Sequence, residues 1–140
     1  MSVGVLLVTH PGVGSSLLHI ATRIIGSSTL PVKCLEVPPG SPLEPVRERA
    51  RSMLKVLNRG TGVLVLTDIF GATPHNIARQ VACGGNQTTV LSGLNLPMLV
   101  RIFNYPDDDL DTLASKAAEG GTRGIMSCPV ESVSVKPAGL

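Results

Sequence analysis

The chain has 140 residues, of which 43% are hydrophobic and only 2% aromatic, and its formal net charge is +2. That length can bury a sizeable core, so residues 1–140 are read as a single domain, and so mild a charge gives no argument for nucleic acid as a partner. Cys34, Cys83 and Cys128 are odd in number, widely spaced and without a C-x-x-C; they read as buried or idle thiols, and neither a disulfide framework nor a zinc site follows.

Val3 to Val8 is an apolar first strand running into Thr9-His10-Pro11-Gly12. A helix is predicted from about Gly14 to Ile25, with Ser15 or Ser16 near its cap, Gly26 as its stop and an apolar stripe of Leu17, Leu18, Ala21, Ile24 and Ile25. Pro31 to Val37 alternates as a half-exposed strand, and the stiff Pro38-Pro39-Gly40-Ser41-Pro42 loop opens a second helix with proline in its first turn. Val46, Ala50, Met53, Leu54 and Leu57 line that helix, while Arg47, Arg49, Arg51 and Lys55 form a solvated face. Strand three, Gly62 to Leu66, leads to Thr67-Asp68-Ile69-Phe70-Gly71. Thr73 is the predicted cap, and Pro74 the first position, of a helix to about Val81. Gln87 to Leu91 is a fourth strand, Gly93 to Leu99 turns into a short apolar helix, and Asp107 to Ala118 is a helix with an acidic first turn. Val130 to Val135 alternates as a final edge strand.

The β-α-β-α-β-α-β spacing predicts an open, mostly parallel four-stranded α/β sheet with right-handed crossovers and helices on both faces. A core of Val, Leu, Ile and Ala suits such a sheet. The terminal strand arrives after two helices, so its partner is in the same chain or in a second copy. The N-terminus lacks a positive n-region, and no segment approaches the roughly 20 apolar residues of a membrane helix. A cytoplasmic protein without direct membrane insertion is expected.

His10 and Asp68 each stand where an apolar strand stops, at the sheet edge where open α/β folds bind ligands. An imidazole braced by a carboxylate has a fixed tautomer, leaving its other nitrogen as nucleophile, base or metal ligand. A helix capped by Thr73 offers unpaired N–H groups to a phosphoryl group, and Gly71, followed by Ala72, allows close backbone approach. No P-loop or G-x-G-x-x-G is present, and His19 and His75 make no tight metal-ligand spacing, so neither metal nor cofactor is expected. The simplest remaining chemistry is a phosphoryl group carried on His10, with Asp68 holding one ring nitrogen as N–H.

Val8-Thr9-His10-Pro11-Gly12, Thr67-Asp68-Ile69-Phe70-Gly71-Ala72-Thr73-Pro74-His75-Asn76 and Gly93-Leu94-Asn95-Leu96-Pro97-Met98-Leu99 closely resemble the mannose-type enzyme IIA of the bacterial phosphoenolpyruvate-dependent sugar phosphotransferase system. The resemblance covers nearly the whole chain, and three blocks in the right order are more specific than any one. It implies that His10 takes a phosphoryl group from phospho-HPr and passes it to a IIB histidine, for sugar phosphorylation at a IIC/IID permease. It also implies that Asp68 hydrogen-bonds His10, that Thr73 lies by the phosphoryl group, and that a homodimer exchanges the terminal strand. Phe70 stands where tryptophan is frequent, Ala72 where glycine is, and His75 where a hydrophobe is. Leu94, Leu96, Pro97 and Met98 are read either as an apolar rim of the site or as a buried helix. Since nothing after Leu140 supplies a IIB domain, a separate IIB chain is expected, or a regulatory role without one. A phosphoryl donor for dihydroxyacetone kinase would share the fold and the histidine, and a hydrolase using Asp68 and His10 is a weaker reading of the same pair.

Overall fold

A computed structural model describes residues 2–83 and 87–130 of the chain. Two runs free of polar interruption, Gly-Val-Leu-Leu-Val-Thr and Val-Leu-Val-Leu-Thr, form β1 (Gly4–Thr9) and β3 (Val63–Thr67), and every residue of both is buried. Continuous rather than alternating hydrophobicity is what a central parallel strand needs, because helices cover both of its faces. The outer strands, β2 (Val32–Glu36) and β4 (Thr88–Leu91), are only partly buried. All pairings are parallel and the order is β2-β1-β3-β4.

Strand pleating divides the core in two. Val5, Leu7, Leu64 and Leu66 face α1 (Val13–Ile25), α4 (Leu96–Phe103) and α5 (Leu110–Arg123). Leu6, Val8, Val63 and Val65 face α2 (Leu43–Leu57) and α3 (Thr73–Ala82). Leu6, Leu7, Leu64 and Leu66 are wholly buried, and each such side chain is worth about 1.5–3 kcal/mol of transfer free energy. Gly4 marks the closest approach of a helix to the sheet. A Cβ there would lie 2.6 Å from the Leu57 carbonyl oxygen, so only glycine lets the end of α2 rest on β1.

From β1 the chain winds outward to β2, then crosses back to β3 on the other side of β1. Winding therefore reverses between β1 and β3, and a crevice opens at their carboxyl ends. Val8 pairs with Thr67 in the register, which sets His10 beside Asp68.

The expected fold class holds for the described residues, with corrections at element ends. Neither Ser15 nor Ser16 caps α1: the helix begins at Val13 after Gly12 in the left-handed region, at φ 84°. Pro42 is the residue before α2, so its fixed φ leads into the helix rather than lying within it. The last helix starts at Leu110, where Asp109 caps it by accepting from the Thr112 N–H at 2.8 Å, and it runs on to Arg123. Asn95 caps α4 through the Met98 N–H and also donates to the Gly121 carbonyl, tying α4 to α5. On α2, Arg47 and Arg51 pair with glutamates of their own helix at the surface. The predicted strand Val130 to Val135 lies, beyond its first residue, outside the described residues, as does any test of strand exchange. No helix among them is long and apolar enough to cross a membrane.

Candidate functional site

His10 is fixed by its own backbone before its ring is considered. The buried Thr9 hydroxyl donates to the His10 carbonyl at 2.8 Å and accepts from the Gly14 N–H at 2.9 Å, bracing the turn into α1. From β3, Asp68 Oδ2 accepts both the His10 N–H, at 2.9 Å, and ring Nδ1, at 2.7 Å. Its Oδ1 accepts the Ile69 N–H at 3.1 Å. The carboxylate has no proton to give, so Nδ1 is the protonated nitrogen and Nε2 keeps its lone pair. Burial pushes the Asp68 carboxyl up, but the His10 backbone and ring hydrogen bonds and the imidazole charge outweigh it, holding the group below its ordinary value. The Asp68 side chain is 12% exposed and that of His10 43%. A shielded acceptor thus orients a ring that an incoming group can reach.

His10 opens onto a hollow of about 330 Å³, walled by the Val37–Ser41 loop, Leu43, Thr73 and Pro74. Thr73 is there, but not as a cap. The helix begins one residue earlier than expected, at Thr73 itself, because the Ala72 carbonyl already accepts the Asn76 N–H at 3.0 Å. No side chain caps this end of α3, which leaves first-turn amides without a side-chain acceptor and the Thr73 hydroxyl exposed. Gly71 sits at φ 85°, accepts from Asn76 Nδ2 through its carbonyl, and with Ala72 stands outside the lining of the hollow.

The other two histidines part company. His19 is an exposed residue of α1. His75 is buried in α3, where Nδ1 lies 2.9 Å from the Thr67 hydroxyl and its ring packs at 4.7 Å against the exposed Phe70. His75 thus braces the residue before Asp68 without reaching the hollow.

Leu94 and Met98 are buried in the core with α1 and α5, Leu96 is partly buried against it and Pro97 is exposed, so the buried-helix reading holds for Leu94 and Met98. The Leu94 N–H bonds the Thr67 carbonyl at 2.9 Å, extending the ladder beyond β3. Exposed apolar side chains include Leu43, in the wall of the hollow, and Ile69 and Phe70, which follow Asp68 in the chain. Glu36, at the end of β2, belongs to no local motif and was not singled out from the sequence, yet it bonds the start of α1, just after the turn that follows His10. Its carboxylate accepts from the Ser15 hydroxyl at 2.7 Å and the Ser15 N–H at 3.1 Å. These bonds hold it below the ordinary glutamate value, with the Ser15 hydroxyl contributing most. The parallel fold itself could have pointed to Glu36, since β2 ends at the same edge as β1. A larger hollow, about 680 Å³, lies at the amino ends of β3 and β4 among Thr61, Thr88 and Asp107–Asp111. Among the described residues no group of three or more His, Cys, Asp or Glu is arranged to hold a metal ion.

The comparisons converge. The family model EIIA-man, described as PTS system fructose IIA component, matches residues 4–118. The "PTS system mannose-specific EIIAB component" of Escherichia coli K12 is 31% identical over 143 residues, covering 99% of this chain. The chain spans only 44% of that relative's length. Among solved structures, the mannose/sorbose specific IIA subunit of the phosphotransferase system from Enterococcus faecalis superposes with a TM-score of 0.82 at 24% identity, covering 96% of this chain and 100% of that one. The phosphotransferase system component EIIA from Streptococcus agalactiae gives 0.76 at 26% identity, covering 89% and 96%.

Proposed function

This chain belongs to the EIIA-man family, a IIA component of the mannose/fructose branch of the phosphotransferase system, and from that premise we propose that His10 is its phosphoryl carrier. Phospho-HPr is the donor and a IIB histidine the acceptor, in a relay that ends in sugar phosphorylation at a IIC/IID permease. The observation that carries this is the 2.7 Å contact between Asp68 Oδ2 and His10 Nδ1.

In the first half-reaction the Nε2 lone pair forms a bond to phosphorus as the donor's P–N bond breaks. The donor ring departs with the bonding electron pair. The Nδ1 proton stays on His10, so the phosphorylated ring is an imidazolium facing the Asp68 carboxylate. The second half-reaction reverses these roles, with the IIB histidine attacking and His10 leaving. Both bonds are phosphorus–nitrogen bonds to imidazoles, so the transfer is nearly balanced and the protein's task is alignment. The Thr73 hydroxyl and the amides in the first turn of α3 receive the equatorial oxygens. Neither metal nor cofactor enters these steps. We read the domain as cytoplasmic and as one unit from residue 1 to 140, pairing as a homodimer through its terminal strand.

The test is to incubate the chain with phosphoenolpyruvate, enzyme I and HPr and assay for an acid-labile, base-stable phosphate. Label is expected on the wild type, lost in His10→Ala and weakened in Asp68→Ala. Label carried by His19 or His75, or no label at all, would overturn the assignment. Adding candidate IIB proteins then identifies the acceptor by discharge.

A further inference from the structure

Two turns flank His10, and the structure treats their backbone amides differently. The turn that follows His10 passes through Gly12 at φ 84° into the first residues of α1. Successive N–H groups in such a turn and helix start converge on a concave, electropositive spot that suits an anion. Here it is already filled: the Glu36 carboxylate accepts the Ser15 N–H and the Ser15 hydroxyl, while the Val13 N–H bonds the His10 carbonyl and the Gly14 N–H the Thr9 hydroxyl. On the other flank no side chain caps α3, and Thr73 opens that helix from the wall of the hollow His10 faces. Glu36 arrives by the fold alone, because it pairs with Thr9 in the β1–β2 register.

We infer that Glu36 is a positioning residue: its carboxylate closes the Ser15 end of this turn to phosphate, so that a phosphoryl group on His10 is received at the Thr73 flank. This deepens, and rests on, the phosphoryl-carrier reading of His10. Because Glu36 accepts its hydrogen bonds from another element, it also pins the turn that presents His10, and the low value of its carboxyl keeps it anionic throughout the neutral range. Without it, two sets of donors compete for one group. The phosphoryl group then divides between two orientations, only one of which faces the hollow.

The experiment is amide NMR before and after phosphorylation of His10 by phosphoramidate, a small donor that modifies imidazoles without any protein partner. In the wild type the Thr73 and His75 amides should shift and those of Gly12 and Ser15 should stay within their unphosphorylated positions. In Glu36→Ala the Gly12 and Ser15 amides should move as far as Thr73 does, with Glu36→Gln between the two. Ser15→Ala, which removes one hydroxyl bond and keeps the carboxylate, should match the wild type and serves as the folded control. A role confined to stability would lower the urea midpoint of Glu36→Ala and leave the wild-type shift pattern in place, which would overturn the inference. So would a wild type in which Gly12 and Ser15 respond as strongly as Thr73. If phospho-HPr fails to label the folded wild type, the carrier reading falls, while the phosphoramidate map still decides the role of Glu36.

Discussion

Asp68→Asn is the most discriminating perturbation of the site, since it keeps the shape of the side chain and removes only charge and one acceptor. The native carboxylate uses Oδ2 for two donors of His10 and Oδ1 for the Ile69 N–H. An asparagine cannot satisfy all three. With its oxygen toward His10, its NH₂ faces the Ile69 N–H, donor against donor. With the amide flipped, NH₂ faces the His10 N–H and drives the ring proton from Nδ1 to Nε2, which blocks the nitrogen that attacks. A hydrogen bond to a charged group contributes about 1.5–3 kcal/mol. The His10 ring is nearly half exposed, so the lower half of that range applies to the ring contact. One lost charge-assisted contact in the phosphoimidazolium thus corresponds to about 10- to 50-fold in transfer rate. Rapid-quench measurement of phosphoryl transfer from phospho-HPr reads that rate, and a urea melt in parallel should show a loss of about 1–2 kcal/mol. Transfer at the wild-type rate in a folded Asp68→Asn protein would refute the bracing role, whatever the distance between the two side chains.

Acid should erase the stabilising part of the same interaction. The folded Asp68 carboxyl lies below its ordinary value, so its contribution is complete above the unfolded value of about 3.9 and disappears as pH falls through the lower folded value. The urea midpoints of wild type and Asp68→Asn should therefore converge as pH is lowered from 6 toward 3, and a constant gap would contradict the linkage. Phe70→Ala removes a ring that is 78% exposed beside the site. Its unfolding free energy should stay within about 0.5 kcal/mol of wild type, while the KM for phospho-HPr should rise severalfold if the proposed donor docks on this exposed ring. Gly4→Ala places a Cβ 2.6 Å from the Leu57 carbonyl oxygen and should cost about 1–3 kcal/mol in a urea melt, with transfer kinetics unchanged where the protein is folded.

Most of the fold was legible because the central strands carry a signal that helices cannot imitate at that length. Val5-Leu6-Leu7-Val8 and Val63-Leu64-Val65-Leu66 are short, β-branched and unbroken by polar residues, and all eight are buried. Connections long enough for a helix then force parallel pairing. Element ends were less legible, for a physical reason. Serine near the start of α1 is a good local cap, yet the acceptor there is Glu36, which comes from a strand 21 residues away from Ser15. A long-range carboxylate outcompetes a local hydroxyl, and no window of sequence around Ser15 contains it. Likewise Thr73-Pro74 satisfies the rule for a cap followed by proline, but the helix starts one residue earlier, on the Ala72 carbonyl.

The site shows the same division between what a strand end announces and what only packing decides. His10 and Asp68 could be paired from sequence because neighbouring parallel strands share an edge, a consequence of topology alone. The walls of the hollow follow from different information. Leu94 and Met98 have the composition of an apolar rim, but Asn95 caps α4 and binds the Gly121 carbonyl, which turns those side chains under α5 and out of reach of a partner. The rim falls instead to Leu43 and the Val37–Ser41 loop, which β2 delivers to the edge where β1 ends. Extending the shared edge from two strands to three would have placed Glu36 and this loop beside His10. A parallel sheet presents the ends of neighbouring strands as a set, so two complementary strand ends define only part of such a site, and the third strand supplies its remaining side.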